Sequence, residues 1–205
     1  MSHIQKFTNK LLDTNTYLYI QNDKCILIDP GSDFEEIMAF IQSNQLTILS
    51  IIATHVHFDH VASVSKFQKE FKCTFYLHKK DSKTLKLSNF LMKIFGYKKQ
   101  IEIPLVDNYF EGEEGNIVIQ DFNINYFNFP GHTSGSCIFK IDNNIFTGDT
   151  LLYSIDESKV PNENLDELRL SQKRIFEKFD ENVFFWPGHG NFGLLKELKN
   201  IYFKK

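Results

Sequence analysis

A chain of 205 residues suits one folded domain, and a hydrophobic fraction of 42% with 21 phenylalanines excludes a disordered polypeptide. The formal charge of −3 excludes the overall basic field that nucleic-acid binding draws on. No apolar run approaches the roughly 20 residues of a membrane span, and residues 1–7 carry neither a signal-peptide core nor an Arg-rich transit pattern.

The expectations are therefore one domain over 1–205, a cytoplasmic location, and no nucleic-acid or membrane partner. Cys25, Cys73 and Cys137 stand in apolar runs without CxxC spacing, and read as buried free thiols of a reducing compartment.

In chain order, Tyr17-Leu18-Tyr19-Ile20 reads as a strand and Gln21 to Lys24 as a turn. Cys25-Ile26-Leu27-Ile28 follows as a buried strand. Asp29-Pro30-Gly31-Ser32 is a turn, and it leads into a helix with Ile37, Phe40 and Ile41 on one face. The apolar run Ile48 to Ala53 has strand length. Val61, Val64, Phe67 and Phe71 then recur at helical spacing, which puts Asp59 near a helix start. Thr74 to Leu77 reads as a strand, and Leu85 to Phe95 as helix or irregular chain ended by Gly96.

From Ile117 to Phe146 the pattern is β, with strands at Ile117–Ile119, Phe122–Phe127, Cys137–Phe139 and Ile145–Phe146. Leu165 to Phe179 is helical with Leu168, Ile175, Phe176 and Phe179 inward. Val183 to Trp186 is a strand, and Leu194 to Ile201 a closing helix. Two mixed β-sheets with helices outside satisfy this α/β (α+β) order.

Four motifs at strand ends carry the chemistry: Thr54-His55-Val56-His57-Phe58-Asp59-His60, Pro130-Gly131-His132-Thr133, Thr147-Gly148-Asp149-Thr150 and Pro187-Gly188-His189-Gly190. Five of the seven histidines fall in them, beside Asp59 and Asp149. His3 and His78 stand alone and read as structural. Residues two apart in extended chain point to one side, so His55 and His57 can reach one metal. Asp59 and His60 turn with the bend toward a second. His132 and His189 can each complete one shell, and Asp149 has two oxygens with which to bridge.

Gly131, Gly148 and Gly188 each precede a ligand, where a side chain would crowd the backbone. Imidazole and carboxylate without thiolate suit two divalent ions, zinc above iron or manganese. Such a pair, about 3.5–4 Å apart, can share a hydroxide at neutral pH. Asp59 and Asp149 are the expected catalytic carboxylates. Asp29 either caps its turn or orients a ligand histidine from behind. Tyr153, Lys159 and Asn191 flank the motifs as candidate substrate contacts.

At these residues, and from Thr14-Asn15-Thr16-Tyr17 through Ile28-Asp29-Pro30-Gly31 to Pro187-Gly188-His189-Gly190, the chain resembles the metallo-β-lactamase superfamily, and most of all the glyoxalase II-like hydrolases. The resemblance implies a four-layer αβ/βα sandwich. It implies metal one on His55, His57 and His132, metal two on Asp59, His60 and His189, and Asp149 between them. Gly148-Asp149-Thr150-Leu151 resembles the thioesterase branch. The chain ends 15 residues after Gly190, short of the helical region with which glyoxalase II grips glutathione. Leu152 to Glu157 stand where many relatives carry Gly-Arg.

Hydrolysis of a small thioester or activated ester by a metal-bridging hydroxide is the expected activity. A persulfide dioxygenase with one iron is the alternative. A nuclease and a non-catalytic metal-binding module stand behind it.

Overall fold

Two runs of strands, each closed by parallel crossovers, organise the chain in a computed structural model that describes residues 2–154 and 163–203. They fall in two compact units, Met1–Phe110 and Glu111–Lys205.

In the first unit, strands β1 (Ser2–Thr8), β2 (Asn15–Gln21) and β3 (Lys24–Ile28) form an antiparallel meander. Helix α1 (Phe34–Ser43) then crosses over to β4 (Thr47–Ile52), parallel to β3. Helices α2 (Phe58–Val61) and α3 (Val64–Phe71) lead to β5 (Thr74–His78), and α4 (Ser82–Leu85) and α5 (Ser88–Ile94) lead to β6 (Asn108–Phe110). These last strands extend the sheet in parallel, in the order β1-β2-β3-β4-β5-β6. Strands β2 and β3 are buried on both faces, which is why they read as unbroken apolar runs.

Ile37 and Ile41 of α1 and Val64 and Phe67 of α3 pack onto Leu18, Leu27, Ile51 and Phe75 in one core. The helical pattern from Val61 to Phe71 is not one helix. The Ser63 amide leaves the helical ladder to donate to the Pro30 carbonyl at 3.1 Å, and α3 starts afresh from Ser63.

In the second unit, β7 (Glu114–Ile119), β8 (Phe122–Asn128), β9 (Cys137–Ile141) and β10 (Asn144–Gly148) run antiparallel. Helix α6 (Leu165–Lys178) crosses over to β11 (Phe184–Pro187), parallel to β10. A two-residue edge strand, β12 (Gly193–Leu194), and helix α7 (Leu195–Tyr202) close the unit. Ile175 of α6, Phe179 just after it, and Leu195 and Leu198 of α7 cover Ile138, Ile145 and Phe185. The expected two mixed sheets with helices are present, and each has six strands. Strands β1, β6 and β12 were not anticipated: β1 is a largely exposed edge with weak alternation, and the other two have three and two residues.

Asn9, 1% exposed, clamps the turn between β1 and β2 onto the turn after β3. Its side-chain amide donates to the Thr14 carbonyl at 2.7 Å and the Thr16 hydroxyl at 2.9 Å, and its Oδ1 accepts from the Asp33 amide at 2.9 Å. Gly31 passes so close that a Cβ there would sit at 2.5 Å from the Asn9 side chain.

No helix among the described residues is long and apolar enough to cross a membrane. The three cysteines are free and buried. Burial pushes the Cys25 thiol up to about 12 and the Cys73 thiol up to about 11. A buried neutral thiol is a poor nucleophile. Native protein at pH 8 is expected to react with a bulky aromatic disulfide at none of its three thiols within minutes, and at all three after unfolding, read by absorbance. Asn9→Ala removes three side-chain hydrogen bonds, two of them buried, and is expected to cost about 2–4 kcal/mol in urea unfolding with an unchanged m-value.

Candidate metal centre

The first donor set grows out of the end of β4. The chain leaves the sheet after Ile52, and Thr54 meets the carboxylate of Asp29, which follows β3. The Thr54 amide donates to Asp29 Oδ1 at 2.7 Å and its hydroxyl to Oδ2 at 2.6 Å. His60 Nδ1 lies 3.0 Å from the same Oδ2. Asp29 is 1% exposed and holds φ at 50°, a left-handed conformation that non-glycine residues adopt at a cost of about 1 kcal/mol. Three bonds to one buried carboxylate offset that cost. Of the two readings of Asp29, the side chain realises the orienting one.

The ring protons follow from these partners. Thr54 Oγ1 spends its proton on Asp29, so at 3.1 Å it accepts from His55 Nδ1. Asp29 accepts from His60 Nδ1. Both rings therefore turn a lone pair outward at Nε2. His55 Nε2 stands 3.1 Å from His57 Nδ1, and His60 Nε2 stands 3.5 Å from Asp59 Oδ2. Asp59 is itself held: the Thr14 hydroxyl donates to its Oδ2 at 2.5 Å. The His55 and His60 rings lie with centroids 4.0 Å apart.

The second set is built in the other unit on the same plan. The turn carrying His132 is docked on the start of α6. The Pro130 carbonyl accepts from the Ser171 hydroxyl at 2.6 Å, and the Gly131 carbonyl from the Asn164 amide at 2.7 Å. Gly131 has φ 132°, and a Cβ there would collide with the backbone of Leu168, so only glycine fits. Glu163, just before α6, places Oε1 3.1 Å from His132 Nδ1, which turns Nε2 toward Asp149 Oδ2 at 3.4 Å. His189 Nε2 lies 3.3 Å from that same oxygen. The Gly188 amide donates to the Gly148 carbonyl at 2.9 Å and ties the two loops. Trp186 and Phe192 stack across the base of the His189 loop with centroids 4.2 Å apart.

These spacings test the fit to a metal. Tetrahedral zinc with bonds of 2.0–2.1 Å has ligand–ligand edges of about 3.3–3.4 Å. The four donor pairs measure 3.1, 3.5, 3.4 and 3.3 Å. The imidazole–carboxylate pairs among them are longer than the roughly 2.7–2.9 Å of a charge-assisted hydrogen bond. In each unit the donor atoms are thus spaced as ligands of a shared ion, without a thiolate among them. The donor atoms of His55 and His57, of Asp59 and His60, and of His132 and Asp149 lie within 4.8 Å of each other. The side chains of Asp149 and His189 keep 11% and 28% exposure, unlike a sealed structural site.

The substrate candidates fare differently. The Tyr153 hydroxyl is hydrogen-bonded to Glu197 of α7. Burial, with Glu197 beside it, pushes this phenol up to about 12, so it stays protonated at neutral pH. Asn191 is exposed in the turn after His189. Lys159 lies outside the described residues. Sequence reasoning missed Glu163, Thr14 and Thr54. Thr14 and Thr54 stood inside quoted motifs. Glu163 stands 31 residues from His132 in a polar stretch, with no local pattern to mark it.

Such donor sets, carried in strand-end loops of an α/β protein, are groups that could hold metal ions. The family model described as the metallo-beta-lactamase superfamily matches residues 9–189, and the chain belongs to that superfamily. It is 32% identical to the probable metallo-hydrolase MJ0888 of Methanocaldococcus jannaschii, over 88% of this chain and 89% of that one. Among solved structures it is similar to the BLEG-1 B3 metallo-beta-lactamase, with TM-score 0.88, 25% identity and 97% of each chain covered. It is also similar to TTHA1623 in a di-iron-bound form, with TM-score 0.84, 27% identity, 95% of this chain and 96% of that one. The expected fold is the one these neighbours have.

Removing a carboxylate behind a ligand histidine typically weakens metal binding about 10–100-fold. That loss is expected for Asp29→Ala and for Glu163→Ala, read by chelator competition. Glu163→Gln keeps an acceptor at Nδ1 and is expected to stay within about threefold of the parent.

Proposed function

We propose that the seven donors His55, His57, Asp59, His60, His132, Asp149 and His189 serve one pair of divalent metals, and that the protein is a hydrolase of small thioesters. The observation that carries this reading is the spacing of the donor atoms. Four pairs stand at ligand-edge distances, and Asp149 presents one oxygen to two imidazoles at once. Membership of the superfamily supports the metal-dependent hydrolase class.

Two divalent ions, when bound, supply deprotonated water near neutral pH and Lewis acidity for a carbonyl oxygen. The chain supplies the rest. Thr54, Asp29 and Glu163 hold protons on the Nδ1 atoms of His55, His60 and His132, and so keep Nε2 available at any pH where the rings are neutral. Thr14 fixes the Asp59 carboxylate by its hydroxyl. Asp149 Oδ2 faces both His132 and His189, and the partial exposure of Asp149 and His189 leaves that side open to a substrate.

Leaving-group chemistry favours the thioester. With five imidazoles engaged as ligands, none of those five is spare as a general acid. A thiol of pKa about 8.5 departs as an anion without one. An amine or alkoxide does not. The resemblance of Gly148-Asp149-Thr150-Leu151 to the thioesterase branch points the same way. The likeness to BLEG-1 favours a second reading, β-lactam cleavage. Zinc suits the donor set, and the di-iron form of TTHA1623 makes iron the competing metal.

Metal-loaded protein is to be assayed against a panel of short acyl-thioesters and a chromogenic β-lactam, with the metal content measured. Thioester turnover at least about 10³ above an Asp149→Ala control is expected, with two metals per chain. No turnover above that control overturns the thioesterase. β-Lactam cleavage alone selects the second reading, and one iron with oxygen consumption selects the dioxygenase.

A further inference from the structure

Helix α5 carries a second apolar row that its packing leaves exposed. Its Ser88 is buried, and the side chain of Asn89 turns toward the protein to pair with the main chain of Ile101, donating to the carbonyl and accepting from the amide, both at 2.9 Å. Met92 is buried beside Ser88 and Leu91 partly so, but the other large apolar residues face away. Phe90 and Ile94 are 62% and 59% exposed, and Leu87 and Phe95 at its two ends 50% and 49%. The two residues between α4 and α5, Lys86 and Leu87, keep right-handed helical dihedrals. Lys83, Leu87, Phe90 and Ile94 therefore fall at i, i+4, i+7 and i+11, along one side. The far end is pinned, because Phe95 and Tyr97 pack on Phe58 of α2, with ring centroids at 6.0 and 5.4 Å.

The charge of this stretch is equally out of character. From Lys79 to Lys99 the chain has seven lysines and one carboxylate, Asp81, so the stretch is +6 and the rest of the chain −9. Asp81 is fully buried, whereas all seven lysines are exposed. Lys83, Lys86, Lys93 and Lys98 make no ion pair among the described residues. A row of exposed Leu, Phe and Ile framed by lysines, on a short helix, is the pattern of an interfacial helix. Such a helix sinks its apolar side chains about 5–10 Å into the headgroup boundary while the ammonium groups stay with anionic lipid.

We propose that the face formed by α4, α5 and the lysines from Lys79 to Lys99 docks the protein on the anionic surface of a lipid bilayer. Charge complementarity selects this occupant. A second copy would bring two +6 faces together. A nucleic acid would leave the aliphatic Leu87 and Ile94 without a base to stack on, and the stretch holds no arginine. The surplus of −9 elsewhere is repelled by the same membrane, so the bound molecule is oriented by this one face. No helix needs to cross the bilayer for this.

The full-length protein is to be floated with vesicles of phosphatidylcholine alone and with about 30% phosphatidylglycerol, at low salt and in about 0.5 M NaCl. Binding to the anionic vesicles only, weakened by salt, is expected. Lys83→Gln, Lys86→Gln and Lys93→Gln combined are expected to lower the partition coefficient on the order of 100-fold, at about fivefold for each charge near the surface. Phe90→Ser with Ile94→Ser is expected to remove the part that survives salt. All five positions are exposed, so an unchanged melting temperature shows the variants folded. Equal binding to neutral vesicles, or none to anionic ones, overturns the proposal. So does self-association in light scattering, or single-stranded RNA binding, that the same variants abolish while lipid binding is absent.

Discussion

The buried carboxylate of Asp29 is the point on which the first donor set turns. It receives the amide and hydroxyl of Thr54 and the ring of His60, and through the Thr54 hydroxyl it also governs His55. Its backbone holds a left-handed φ at the end of β3 so that the side chain can look across to the end of β4. The parallel pairing of β3 with β4 places the two strand ends side by side, with Ile28 opposite Ile52. A sheet register thus becomes an imidazole tautomer in two steps.

The second donor set shows how the same problem is met from a helix. Glu163 performs for His132 what Asp29 performs for His60, but it is delivered by the entry to α6 rather than by a strand. Gly131 is the joint that makes this possible, since only a residue without a Cβ lets the turn press on the Leu168 backbone. The Asn164 side chain caps α6 by accepting from the Glu167 amide, while its own amide holds Gly131. The cap and the ligand turn are one structure.

Much of this was legible in the sequence because both layers of information are local. The sheets announce themselves through apolar runs such as Cys25–Ile28 and Ile48–Ala53, and the candidate metal donors through motifs at the ends of those runs. What escaped was non-local or weakly patterned. Edge strands β1, β6 and β12 bury too little to alternate cleanly. The break between α2 and α3 depends on a hydrogen bond from Ser63 to Pro30, 33 positions back. Glu163 is one acidic residue among many until the fold brings it to His132. Asp29 stands in the sequence as a residue with two readings, and the choice between them is made by the folded positions of Thr54 and His60.

The Gly188-to-Gly148 hydrogen bond joins the strand ends that bear His189 and Asp149, and the Trp186–Phe192 stack braces the outer side of that joint. The segments 147–151 and 186–193 are therefore one mechanical part delivered by two stretches of chain. An engineer who exchanges loops with a relative must transplant both together. A graft of either alone would import a bend made for a different neighbour.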